Sequence, residues 1–299
     1  MSAAHLVLRG SEAVYGDPGD LAPGSDGLGR WSIVDETSGA VHTGFGVCRL
    51  EPGGVVPAHV HSFEESVYVL EGEVVLRTPE ATVRLRPGDY ALLPVGTPHS
   101  WHADGAGARW AEMLAPQPRA LHAADTYRVA DLPEREAVTV DPRDPRTRSF
   151  GSISPDHMDP TRQSQELLAV SASMRTALLV YSGITVKMMV DTDLGAVLST
   201  MFMVQYETAG RAGAHDHPFE ETYLIVDGAV DGTFDGTTYR LEVGDVAWAG
   251  AGCVHGFAAA GGPVRWLETQ APQPPSRHSY RFVRDWEYLG ERLAEGSEG

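Results

Sequence analysis

The sequence predicts an all-β chain built from two tandem copies of one fold, each a sandwich or a barrel. Three observations lead there. Residues in the first half recur in the second at a constant step of 156 positions, as His59 to His215 and His99 to His255 show. A fixed period of that kind marks a duplicated unit. Short apolar stretches recur about every ten residues between turn signals, the spacing of sandwiches and barrels and not of alternating βαβ units. Glycine (33) and proline (20) are abundant in a chain of 299 residues, and neither standard glycine-rich phosphate loop is present.

The repeat runs along the whole of each copy. Val34-Asp35 meets Val190-Asp191, Phe63-Glu64-Glu65 meets Phe219-Glu220-Glu221, and Gly88-Asp89 meets Gly244-Asp245. Arg109-Trp110 meets Arg265-Trp266, and the run Ala-Pro-Gln-Pro from Ala115 returns from Ala271. Within a copy, residues 73–77 and 82–86 flank a Thr-Pro-Glu turn and read as a hairpin; Phe234-Asp-Gly-Thr-Thr-Tyr239 repeats the idea with an Asp-Gly turn. The organisation expected is an N-terminal domain over 1–130, a polar, proline-rich connector over 131–165 and a C-terminal domain over 166–299. The connector is long for a structureless loop. It is therefore expected to pack partly on a barrel wall, with a short helix near 161–169.

Composition excludes several classes of function. Acids outnumber bases 41 to 23, for a formal charge of −18, a field that repels phosphate backbones and anionic headgroups. No nucleic acid or membrane partner is therefore expected. The single lysine, Lys187, is the only residue able to form a Schiff base. Two distant cysteines, Cys48 and Cys253, exclude a disulfide scaffold and point to a reducing, cytoplasmic setting. The longest apolar run, residues 176–181, is too short to span a bilayer.

Chemistry concentrates in two constellations. His59-Val-His61 places two imidazoles at i and i+2, on one face of a strand, and Glu65 follows at an even step. His99 arrives on a later strand, after the rigid turn Pro94-Val-Gly-Thr-Pro98. Three neutral imidazoles and a carboxylate suit borderline divalent metals: iron, manganese, nickel, copper or zinc. His215, His217, Glu221 and His255 repeat the set at identical spacings, so the chain is expected to bind up to two such ions.

Gly53-x5-His59-x-His61-x3-Glu65-x6-Gly72 resembles the first cupin motif, and Gly88-x5-Pro94-x-Gly96-x2-His99 the second. The other copy is similar, with glycine in place of proline at 250 and Gly210 one residue closer to its first histidine. The resemblance covers both halves and implies a bicupin: two tandem cupin (jelly-roll, conical β-barrel) domains joined by a connecting segment, each with a metal inside. It also leaves room for pairing of barrel edges into a homodimer. Cupin motifs specify fold and ligands far better than reaction.

Strand parity then turns Trp101, Tyr223 and Phe257 toward the barrel interiors, around the metals, as pocket-lining residues for a small-molecule substrate. The Trp110-x-Glu112 and Trp266-x-Glu268 pairs read as structural parts of a closing strand. The leading functional expectation is a metal-dependent dioxygenase acting on a ring-bearing or enolic substrate, by similarity to bacterial quercetin 2,3-dioxygenases. Glu65 or Glu221 would take the substrate hydroxyl proton. The alternatives are a non-oxidative manganese or zinc hydrolase, decarboxylase or isomerase, including a ureidoglycine aminohydrolase-like enzyme, and a ligand-binding bicupin without catalysis. Pro57, Pro94 and Pro98 stiffen the first mouth while Gly213, Gly250 and Val254 replace them in the second, which favours the second as the more adaptable.

Overall fold

The computed structural model describes residues 5–162, 176–179, 182–274, 291 and 294. It is built of strands, with short 3-10 turns between them. The first copy comprises β1 (His5–Leu8), β2 (Asp26–Val34), β3 (Gly44–His61), β4 (Glu64–Gly72), β5 (Val74–Arg77), β6 (Thr82–Leu85), β7 (Asp89–Leu93), β8 (His99–His102) and β9 (Ala108–Ala115). β10 (Thr126–Arg128) ends the first copy, and the connector contributes β11 (Val138–Thr139) and β12 (Phe150–Ser152). The second copy holds β13 (Thr176–Leu179), β14 (Ile184–Val190), β15 (Thr200–Tyr206), β16 (Arg211–His215), β17 (Glu220–Asp227), β18 (Ala229–Phe234), β19 (Thr237–Glu242), β20 (Val246–Ala249), β21 (His255–Ala259) and β22 (Val264–Ala271).

In the first barrel β3 runs for eighteen residues and pairs with β9 along its first half and β8 along its second, so the whole wall is one sheet. In the second copy the same stretch is split into β15 and β16, with Ala209 at φ +64° in the break. The sheet is correspondingly divided into seven-stranded and four-stranded parts. The anticipated hairpins are present, with Leu76 opposite Val83 and Phe234 opposite Thr237. Alternation along the strands fills each barrel with apolar side chains, such as Val67, Leu76 and Trp110 in the first and Ile225, Phe234 and Trp266 in the second.

The copies are stitched together. β1 adds to β20 of the second barrel, with His5 opposite Ala249, while β10 lies against β3 of the first, and β11 and β12 of the connector against its β6 and β7. The helix expected near 161–169 falls almost wholly outside the described residues; Thr161 is in a turn. Between the barrels lies a shared core in which Trp31, Phe45, Tyr90 and Met113 meet Met189, Met201, Trp248 and Leu267.

Two buried carboxylates complete the join reciprocally. Glu64 accepts the backbone N–H of Val197 (2.8 Å) and Ser199 (3.0 Å) and the Ser199 hydroxyl (2.7 Å). Glu220 accepts from Val41 (2.7 Å), His42 (3.1 Å) and Thr43 (3.0 Å). Among the described residues, no helix is long and apolar enough to cross a membrane.

Candidate metal centres

Each histidine triad is assembled by the same local device. A β-bulge just before the first histidine, between Val56 and His59 and between Ala212 and His215, shifts the register so that His59 faces His99 and His215 faces His255. Bulges re-aim side chains in this way. The structure brings His59, His61 and His99 together in one buried group and His215, His217 and His255 in another, with ligand atoms within 4.8 Å of one another in each. Glu65, the second residue of β4, has Oε2 at 3.4 Å from His61 Nε2 and 3.2 Å from His99 Nε2. Glu221 stands likewise, at 2.7 Å from His217 Nε2 and 3.2 Å from His255 Nε2.

The remaining ring nitrogens define the tautomers. Nδ1 of His59 lies 2.7 Å from the Pro57 carbonyl and Nδ1 of His99 2.9 Å from that of Thr97. In the second barrel Nδ1 of His215, His217 and His255 meets the carbonyls of Gly213 (2.8 Å), Phe219 (2.9 Å) and Cys253 (3.0 Å). A carbonyl only accepts, so each Nδ1 carries the proton. His61 Nδ1 instead meets Thr126 Oγ1 at 2.8 Å, and that hydroxyl donates to the Ala124 carbonyl, so its oxygen accepts from the ring. All six rings therefore aim an Nε2 lone pair inward. Glu65 Oε2, His99 Nε2 and His255 Nε2 are buried and make no hydrogen bond. Acceptors converging on acceptors are what a cation reconciles, so both donor sets fit a divalent metal.

Electrostatics agree. Burial, reinforced by the neighbouring His99 and His61, lowers His59 to about 3. Burial beside His255 lowers His215 to about 4. Both stay neutral and ligand-ready near pH 7.

The sites differ in what surrounds the glutamate. Glu221 is opposite Gln270, whose Nε2 donates to Oε1 at 2.5 Å, and the Tyr223 hydroxyl donates to Oε2. The first copy has Leu114 and Val67 at these places, so Glu65 has neither support. Glu268 accepts the Trp266 indole N–H at 2.9 Å; burial and the charge of Glu221 hold its carboxyl well above the usual range. Its counterpart Glu112 binds Arg30 at 2.5 Å, a buried ion pair that sequence analysis missed because Arg30 has no equivalent in the second copy, where Val186 stands. Arg30 lines a cavity of about 20 Å³ together with His59, His61, Glu65 and Trp101. Its Nη1 donates to Ser32 at 2.7 Å and its Nη2 is buried without a hydrogen bond.

Trp101 packs edge-on to His99 at 6.2 Å and stacks on Trp110 at 5.1 Å. Tyr223 and Phe257 stand 5.9 and 6.0 Å from the His255 ring. Cys253 turns its thiol toward His5 and Asp235. Arg49 pairs with Glu51 at the surface and stacks on Tyr15.

Comparison with known proteins accords with this geometry. The cupin domain family matches twice, over residues 46–113 and 202–269. No match was found among curated protein sequences. Among solved structures, the chain is similar to a Lactobacillus farciminis oxalate decarboxylase in complex with formate (TM-score 0.62, 15% identity, 97% of this chain and 92% of that one). It is also similar to a glyoxylate-induced protein from Pseudomonas aeruginosa (0.64, 18%, 93% and 92%). A third is the Bacillus subtilis oxalate decarboxylase, an enzyme with Mn(II) centres (0.63, 14%, 98% and 85%). The duplicated motifs, paired jelly rolls and twin histidine triads together make the protein a bicupin, two cupin domains in a single chain.

Proposed function

We propose that the protein is a metal-dependent enzyme acting on a small carboxylic acid at the first-barrel centre, with His59, His61, His99 and Glu65 as metal ligands there. His215, His217, Glu221 and His255 would hold the second ion. The observation that carries the reading is Arg30: a buried guanidinium with an undonated N–H, in one small cavity with the histidines. A divalent ion beside one glutamate retains positive charge, and Arg30 adds a directed donor, so the cavity suits a small anion. The cavity is small, about 20 Å³, which favours a small anion over a bulky one. The likeness to oxalate decarboxylases adds support at the level of fold.

A bound divalent metal would supply Lewis acidity and, for a redox-active ion, electron transfer. Arg30 Nη2 holds and orients the substrate carboxylate, and Glu65 accepts or returns a proton through the oxygen that the metal leaves free. Trp101 and Trp110 keep water away. This places chemistry in the first barrel, although the loop prolines argue for the second as the adaptable mouth. The aromatic wall of Tyr223 and Phe257 favours a second reading, dioxygenase cleavage of a ring-bearing or enolic substrate at the second centre.

The test is turnover of two- to four-carbon mono- and dicarboxylic acids and of aromatic enols by metal-loaded protein, with and without oxygen. Acid turnover that survives His217→Ala and is lost in His61→Ala and Arg30→Leu supports the proposal. An Arg30→Leu/Glu112→Leu double variant guards against a folding artefact. Oxygen-dependent turnover of enols alone overturns it in favour of the dioxygenase.

A further inference from the structure

Outside both triads, three metal-binding side chains from distant parts of the chain meet at one place. His5 opens β1, Asp235 sits in the tight turn between β18 and β19, and Cys253 lies in the loop before β21. One ligand atom from each lies within 4.8 Å of the other two, and His5 Nδ1 is 4.0 Å from Asp235 Oδ2. Tetrahedral ligation at about 2.0–2.3 Å sets donor atoms about 3.3–3.7 Å apart, so a modest contraction completes three corners of a site and leaves the fourth for water.

The orientation is built. Asp235 Oδ1 accepts the Val254 N–H at 3.0 Å, which leaves Oδ2 on the His5 side. His5 Nε2 is 3.0 Å from the Tyr239 hydroxyl and its ring stacks on Phe234 at 5.7 Å, so Nδ1 is the nitrogen presented to the other two donors. Cys253 is buried while Asp235 is exposed, so an ion has an approach from solvent. The first copy has Pro79 and Thr97 at the two barrel positions, so the cluster owes nothing to the duplication.

We propose that His5, Asp235 and Cys253 form a third metal site, for a thiophilic borderline cation of the zinc class, that clasps β1 onto the second barrel. Binding deprotonates the thiol and releases its proton to solvent, as thiolate ligation requires. Nitrogen, carboxylate and thiolate donors select such an ion over calcium or magnesium.

Cobalt(II) titration of the metal-free full-length chain tests this, because the cupin centres offer nitrogen and oxygen alone. A thiolate-to-cobalt charge-transfer band in the near ultraviolet is expected, absent from Cys253→Ser. It should demand at least tenfold more cobalt in His5→Ala. Asp235→Asn, which keeps the acceptor for Val254, should weaken it likewise and serves as a second variant if His5→Ala loosens β1. Zinc should also protect Cys253 from alkylation under native conditions. A wild-type protein that fills its cupin centres with cobalt without the band overturns the proposal. So does a band that persists in Cys253→Ser, or zinc that leaves alkylation of Cys253 unchanged.

Discussion

Glutamine and leucine at one matched position separate the two centres. Gln270 anchors Glu221 where Leu114 leaves Glu65 unsupported. Partners that orient metal ligands commonly contribute 10–100-fold in affinity. Gln270→Leu should therefore weaken metal binding at the second centre by about tenfold or more and leave the first unchanged, as competition with a chromophoric chelator would show. Thr126→Val should do the converse through His61. Arg30 and Glu112 form a buried pair, and removing one partner strands a charge. Glu112→Ala should lower stability by about 3–5 kcal/mol in urea titration, more than the double apolar replacement. Paired histidines and glutamates were legible because their residue types and fixed spacing are local features of the chain. Arg30 was not, since its meaning depends on a strand 82 residues from its partner.

At the level of strands and turns, glycine carries the motif where a side chain has no room. Gly72 and Gly228 adopt φ of +70° and +71°, and an added Cβ would meet the carbonyl oxygens of Gly107 at 2.0 Å and Pro263 at 2.3 Å. Gly72→Ala and Gly228→Ala should each destabilise by about 2–3 kcal/mol, measured by thermal and urea unfolding. The hairpins and the alternating strands follow from local chemistry and were readable. The division of the long β3 equivalent into β15 and β16 was not, because it turns on a one-residue change of spacing around Gly210 and on pairing with distant strands.

Across the whole molecule, the barrels are locked by Glu64 and Glu220, each buried and each receiving backbone N–H groups from the other copy. Glu64→Ala should cost about 3 kcal/mol by leaving those donors buried and unpaired, and Glu220→Ala a similar amount. Acid should act on the metal-free protein through the triads. His59 and His215 bind protons less readily folded, at about 3 and about 4, than unfolded, near 6.5. The unfolded chain therefore holds more protons between those values, and stability should be full above pH 6.5 and fall as pH drops toward 4 and then 3. Chelator-treated protein unfolded in urea across that range gives the measurement; a flat profile would contradict the burial of neutral imidazoles.

By itself the sequence determined the duplication, the all-β architecture and the two sets of histidines and glutamates whose chemistry fits a metal. Each is written in local spacing: period two along a strand, turns between strands, and donor atoms whose chemistry admits few uses. The exchange of β1 onto the second barrel, the Glu64 and Glu220 locks, the buried Arg30 and the meeting of His5 with Asp235 and Cys253 were decided by tertiary structure alone. They depend on where the chain returns after separations of 82 residues and more, and neither hydropathy nor periodicity encodes that distance.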